Sequence, residues 1–204
     1  NTFKISTKDG EVIEAKYVIN AAGLYGEEIH NLICKESFKI IPRSGQYFVL
    51  DKKQGDLVSH TIFQCPSKMG KGILVTPTVH GNLLVGPDAR DISDKEDLNT
   101  TSDGLNFVRE TSGLTTEKIN FRDSIRNFAG LRANSDRNDF IVEENDEVKG
   151  FIDVVGMKSP GLTSAPAIAV DVVEILKNSG CELKKKENFI GKREQIHFMD
   201  LSPE

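Results

Sequence analysis

The chain has 204 residues, 38% of them hydrophobic and 28% charged, which is enough apolar content for a buried core and too much for a disordered tail. A formal net charge of -5 offers no attraction to nucleic acid or to an anionic membrane surface, so any anion site must be a local arrangement of basic groups. The three cysteines, Cys34, Cys65 and Cys181, are far apart and in no Cys-x-x-Cys pair; a disulfide framework and a metal site are not expected, and a cytoplasmic setting is.

Residues 2–7 alternate in polarity, Lys8-Asp9-Gly10 is an Asp-Gly turn, and residues 12–19 form a second run, which together predict a β-hairpin. The chain thus opens on Asn1 in a strand-like run, and a missing N-terminal neighbour is expected. The second run ends in Val18-Ile19-Asn20-Ala21-Ala22-Gly23, small residues that let a ligand approach the backbone, and residues 27–34 predict a helix. From Phe38 to Ala133 the pattern is that of an antiparallel meander, with short β-rich runs at 47–50, 72–77 and 82–86 and a tight turn at His80-Gly81-Asn82. One helix, capped by Thr101 or Ser102 and carrying Leu105, Val108 and Arg109, interrupts it before a strand at 124–133. Strands at 139–143 and 151–156 follow, then a long helix over 163–177 with apolar Ala167, Ile168, Val170, Val173 and Leu176. The Lys184-Lys185-Lys186 run and the polar tail read as a solvated linker.

The segment from Gly156 to Thr163 closes a strand and opens a helix. Free N–H groups there favour an anion or a carbonyl edge, whereas a plain strand-to-helix turn capped by Thr163 would need Pro160 and Gly161 just as much. Pattern alone leaves both readings open.

Residues 156–169 resemble the C-terminal flavin-contacting motif of the FAD-dependent superfamily that contains glycerol-3-phosphate dehydrogenases, L-2-hydroxyglutarate oxidases and D-amino-acid oxidase-like enzymes. Val18 to Gly23 is similar to that family's strand end beside FAD, and Phe128-Ala129-Gly130-Leu131-Arg132-Ala133 resembles its Gly-x-Arg strand near the substrate. The resemblance implies an α/β (α+β) fold: a partial FAD-binding domain in two pieces, 1–37 and 136–180, with an inserted antiparallel substrate domain at 38–135 and a tail at 181–204. It implies FAD as cofactor, contacted by Ala22, Gly23, Gly156, Gly161, Leu162 and Thr163. The Gly-x-Gly-x-x-Gly turn that holds the pyrophosphate does not occur in the sequence, so FAD binding by these residues alone is expected to be weak. The tail from Arg193 to Asp200 resembles a linker that in some bacterial members leads to an iron–sulfur module, a further partner that the resemblance implies.

Arg132 is the leading substrate residue. Its guanidinium fork suits a carboxylate or phosphate, and the family places it over the flavin; the alternative is a surface salt bridge within the charged stretch of Asp136, Arg137 and Asp139. The resemblance also implies an anion-assisting role for Lys158, which could equally be solvated, and a cavity position for Arg43 and Tyr47, whose ring could instead pack in the core. No general base is assigned. The expected activity is hydride transfer from a small acidic substrate, glycerol 3-phosphate or a 2-hydroxy acid, to flavin, and the competing class is a non-catalytic module that binds a small anion or a protein.

Overall fold

The computed structural model describes residues 2–65 and 72–192; the tail from Arg193 onward, with its linker resemblance, lies outside them. Strands β1 (Phe3–Ser6) and β2 (Val12–Ala15) form the expected hairpin. The second run does not continue straight, because the backbone bends at Lys16 and resumes as β3 (Val18–Asn20), which pairs with a different partner. A 3-10 turn, Gly23–Tyr25, leads into α1 (Gly26–Asn31), shorter than the predicted helix at its C-terminal end.

Next come β4 (Ile40–Leu50), β5 (Leu74–Pro77), β6 (Leu83–Gly86), β7 (Arg90–Asp91), α2 (Ser102–Ser112) and β8 (Ser124–Ser135). The five strands form one antiparallel sheet in which β4 is central: β6 and β7 share one of its edges, and β8 runs along the whole of the other. β4 begins seven residues before the predicted start at Tyr47, because Pro42 and Gly45 conceal a strand from any reading based on β propensity. Of the two expected caps it is Thr101 that serves, its Oγ1 accepting the Gly104 N–H at 3.1 Å, and α2 lays Val108 into a core with Phe48, Leu50, Ile73, Val75, Leu83 and Val85. Each such side chain contributes about 1.5–3 kcal/mol by leaving water.

The chain closes with β9 (Ile141–Glu144), β10 (Phe151–Val155) and α3 (Gly161–Asn178). β10 pairs antiparallel with β9 and parallel with β3, so Val18 and Ile19 lie in the sheet that holds Val154 and Val155, as the two-piece reading requires. Beneath this sheet is a polar core: Asn20 Nδ2 donates to Asp153 Oδ1 at 2.7 Å, and His30 Nδ1 meets Asp153 Oδ2 at 2.7 Å. His30 Nε2 faces the Lys35 carbonyl at 2.9 Å, and all three side chains are buried.

The final helix departs from expectation in two ways. Thr163 is not its cap; the cap position is Pro160, whose carbonyl accepts a hydrogen bond from Thr163 Oγ1 at 2.9 Å. Nor is its apolar face covered, since Val172 alone is buried and Leu162, Val170 and Val173 are exposed.

Candidate active site

Strands β4 and β8 pair in a register that sets Arg43 opposite Arg132, Gly45 opposite Gly130 and Tyr47 opposite Phe128. Side chains alternate across a strand, so these residues share one face of the sheet with Asn134. Arg43, Tyr47, Arg132 and Asn134 line a cavity of about 1160 Å³ that Lys158 and Ser159 also border. A smaller hollow, walled by Leu131, Met157 and the 160–163 turn, shares Arg132, Lys158 and Ser159 with it. The two spaces meet at Arg132 and Lys158.

Arg132 is half-buried. Its Nε donates to the Arg43 carbonyl at 3.4 Å, and its Nη2 to the carbonyls of Ser44 at 3.1 Å and Asp88 at 2.9 Å. Carbonyl acceptors fix the plane of the guanidinium without cancelling its charge. Burial pushes its pKa down from the ordinary arginine value, with Tyr47 and the nearby carboxylates opposing that, and a guanidinium still remains a cation at neutral pH. The surface alternative does not describe it, since it is Arg137 that pairs with a carboxylate in that stretch, Glu143, at 2.8 Å.

Arg43 differs from Arg132. It grips Asp91 with two bonds, Nε to Oδ1 at 2.5 Å and Nη2 to Oδ2 at 2.9 Å, which raises its own pKa and lowers that of Asp91. Lys158 Nζ donates to Asn134 Oδ1 at 2.7 Å, a neutral partner. Among the described residues, then, neither Arg132 nor Lys158 is within ion-pair distance of a carboxylate. The Tyr47 ring stacks on Phe128 with centroids 5.0 Å apart, and burial raises its pKa, so its hydroxyl stays protonated and able to donate into the cavity.

The backbone around this junction is bare. Gly156 has φ +74°, where a Cβ would come within 2.9 Å of the Ser135 Cβ; only glycine turns the chain there without strain. At Gly23, φ +58°, a Cβ would meet nothing within 4 Å, and the 23–25 turn packs against β4 and β8. The Ala22 N–H reaches Asn20 Oδ1 at 3.4 Å, Gly161 opens α3, and Leu162 is 93% exposed.

Several residues were not singled out from the sequence. Gln46 and Asp88 hold the site from behind, Asn134 holds Lys158 from within the cavity, and His30 and Asp153 hold the sheet beneath Asn20. No spacing motif marks them, because the bonds Gln46–Asp88, Lys158–Asn134 and His30–Asp153 join residues 24 or more positions apart.

The packing around Arg132 yields a prediction. A Cβ at Gly45 would stand 2.5 Å from Arg132 Nη2 and 2.9 Å from the Pro87 Cβ, whereas one at Gly130 would meet nothing within 4 Å. Gly45→Ala is therefore expected to lower stability by about 1–3 kcal/mol and displace the guanidinium, while Gly130→Ala is expected to leave the melting temperature unchanged. Thermal unfolding of the two variants side by side checks it.

The sheet built from two distant pieces and the bare turns beside a cationic cavity define a class. Residues 1–175 match the family described as DAO, FAD dependent oxidoreductase, and the chain belongs to that family. It is 54% identical over 199 residues to the glycerol 3-phosphate dehydrogenase of Caloramator mitchellensis, which covers 97% of this chain and 41% of that protein. The glycerol 3-phosphate oxidase of Mycoplasma genitalium is 36% identical over 178 residues, 86% of this chain and 46% of that one, and the bovine mitochondrial L-2-hydroxyglutarate dehydrogenase is 27% identical over 209 residues, 81% and 45%. Among solved structures, the dithionite-reduced L-alpha-glycerophosphate oxidase of Mycoplasma pneumoniae, with FAD bound, superposes with a TM-score of 0.81 at 33% identity, covering 93% of this chain and 52% of that one. The chain thus spans about half the length of the relatives it matches.

FAD is the cofactor of this family, as the motifs implied. Gly161 and Leu162 border the hollow that Arg132 also lines, with Leu162 exposed, and leave room there for the flavin end of that group. The glycine-rich turn for its pyrophosphate does not occur in these 204 residues. No helix of the described residues is long and apolar enough to cross a membrane, and none of their His, Cys, Asp and Glu side chains form a group of three or more that could hold a metal ion.

Proposed function

We propose that the intact protein oxidises glycerol 3-phosphate at the expense of FAD, with residues 38–135 forming the substrate domain and 1–37 and 136–180 contributing to the FAD domain. The observation that carries this reading is the charge balance at the junction. Arg43 is balanced by Asp91 and Arg90 by Asp88, at 3.5 Å, so among the described residues Arg132 and Lys158 remain as two cations with neutral partners. A phosphate monoester carries about -1.5 to -2 at neutral pH and matches them on one group. A single carboxylate supplies half that charge, and the ammonium of an amino acid would be repelled.

In this reading Arg132 turns its Nη1 N–H groups, the ones not held by carbonyls, toward the phosphate, Lys158 adds a point charge, and the Tyr47 hydroxyl donates to the same end of the substrate. Their grip fixes the carbon that bears the hydroxyl against the edge of the 156–163 turn. Ala22, Gly23, Gly156, Gly161, Leu162 and Thr163 would border FAD, which when bound supplies the hydride acceptor. No residue of this chain is assigned as the base. A cytoplasmic setting belongs to the same reading and is supported by the free state of Cys34, Cys65 and Cys181.

Anaerobic mixing of the full-length flavoprotein with each candidate substrate tests the proposal. Glycerol 3-phosphate is expected to bleach the flavin absorbance and L-2-hydroxyglutarate to leave it. Bleaching by the hydroxy acid alone would reverse the assignment, and a colourless full-length protein would remove the redox function.

A further inference from the structure

Behind the cavity floor runs a buried chain of polar contacts that the proposed chemistry does not use. Gln46 lies on β4 with its side chain on the face opposite Gly45 and Tyr47, under the start of α2, and both it and Asp88 are 2% exposed. Its Oε1 accepts the Thr101 N–H at 2.6 Å, while its Nε2 reaches Thr101 Oγ1 at 3.3 Å and Asp88 Oδ2 at 3.2 Å. The main-chain N–H of Gln46 also donates to Asp88 Oδ1, at 2.7 Å. One residue thus holds both oxygens of a buried carboxylate. Space around it is closed, because a Cβ on Gly104 would overlap the Gln46 amide.

The carboxylate fixes the 87–89 segment, and that segment carries one of the carbonyls that orient Arg132: Asp88 O accepts Nη2 at 2.9 Å. Without the side-chain bonds Asp88 has no reason to keep its carbonyl aimed at the guanidinium, and a buried carboxylate left with fewer donors would move toward solvent. We infer that Gln46 and Asp88 are positioning residues, which orient the Arg132 guanidinium for a phosphate-bearing substrate by locking the Asp88 carbonyl behind it. The inference rests on the proposed role of Arg132. Asp88 borders the cavity but its carboxylate is turned to Gln46 and, at 3.5 Å, to Arg90, so in this scheme the pair reaches the phosphate through Arg132.

That dependence makes a double-mutant cycle the decisive experiment, carried out on the full-length flavoprotein with glycerol 3-phosphate. Asp88→Asn preserves shape but offers an amide N–H where an acceptor is needed. It is expected to raise KM about tenfold, with a smaller effect on kcat and unchanged flavin content, and to change KM less than twofold when Arg132→Lys is already present. Gln46→Met, which keeps the main-chain bond to Asp88 and removes the amide, should show the same dependence to a lesser degree. Equal effects of Asp88→Asn in both backgrounds would overturn the positioning role while leaving Arg132 in the site. An unchanged KM in Arg132→Lys alone would remove Arg132 and this inference together. Failure of both the Asp88 and Gln46 variants to fold would assign the pair to the core and overturn the inference as well.

Discussion

Arg132→Lys in the full-length enzyme is expected to lower kcat/KM on glycerol 3-phosphate by about 2–4 kcal/mol, on the order of one hundred- to one thousandfold, with flavin occupancy unchanged. The charge survives this substitution and the fork does not. Two of the arginine's nitrogens are engaged by the carbonyls of Arg43, Ser44 and Asp88, which set the plane and the direction in which the two Nη1 N–H groups face the phosphate. A lysine ammonium cannot satisfy those three carbonyls and present a planar pair of donors at once. Because Arg132 faces a cavity and is only half-buried, the core should tolerate the change. Were it one half of an exposed ion pair, its loss would cost about 0–1 kcal/mol and leave turnover alone. Steady-state kinetics with flavin content measured alongside distinguishes the outcomes, and a kcat/KM near that of the unmodified enzyme would take Arg132 out of the site.

His30→Phe should have the largest effect on stability, about 3–5 kcal/mol, because it leaves the Asp153 carboxylate buried with Asn20 as its remaining side-chain partner. His30 is 1% exposed and both its ring nitrogens face oxygen: Asp153 Oδ2 at 2.7 Å, and the Lys35 carbonyl at 2.9 Å. Phenylalanine fits beside Phe38 and Phe151, whose rings already lie against the imidazole, so lost packing would not explain the result. Asp153→Asn is the milder comparison, at about 1–3 kcal/mol, since the amide oxygen can still accept from one neighbour. Urea unfolding of the full-length protein should rank the His30 variant below the Asp153 variant. A loss under about 1 kcal/mol for His30→Phe would mean that the pair contributes little to the sheet.

Much of the architecture was legible because local signals agreed with the tertiary outcome. The Asp9-Gly10 turn, the Thr101 cap and the strand expected at residues 124–133 each correspond to an element that forms. Signals failed where a strand's partner, and not its own residues, decides its course. The run from Val12 to Ile19 reads as one strand, yet β2 pairs with β1 and β3 with β10, and the bend at Lys16 is what separates them. β4 was read at less than half its length for the opposite reason: Pro42 and Gly45 look like breakers, but the pairing with β8 continues through both.

The site was legible to the same extent. Arg132, Lys158 and Tyr47 were singled out through motif resemblance, and all three line the same cavity. Gln46, Asp88, His30 and Asp153 were not found, since a buried hydrogen-bonded residue is defined by what surrounds it. For Gln46 and Asp88 the partner is 42 positions away, and for His30 and Asp153 it is 123. Thr163 shows the converse error, a residue of capping type that bonds to Pro160 one turn back.

The parallel pairing of β3 with β10 also governs the order in which the chain can assemble. Asn20 and Asp153 are separated by 133 residues, whereas every strand of the five-stranded sheet lies between Ile40 and Ser135. A growing polypeptide that leaves the ribosome can therefore complete that sheet while Val18, Asn20 and His30 still wait for β10. Closing so long a loop is entropically dearer than closing a hairpin, though only logarithmically. The turn at Ala22 and Gly23 is consequently among the last parts to take shape, and until Phe151 to Val155 arrive the edge of β3 stays open to pairing with the wrong chain.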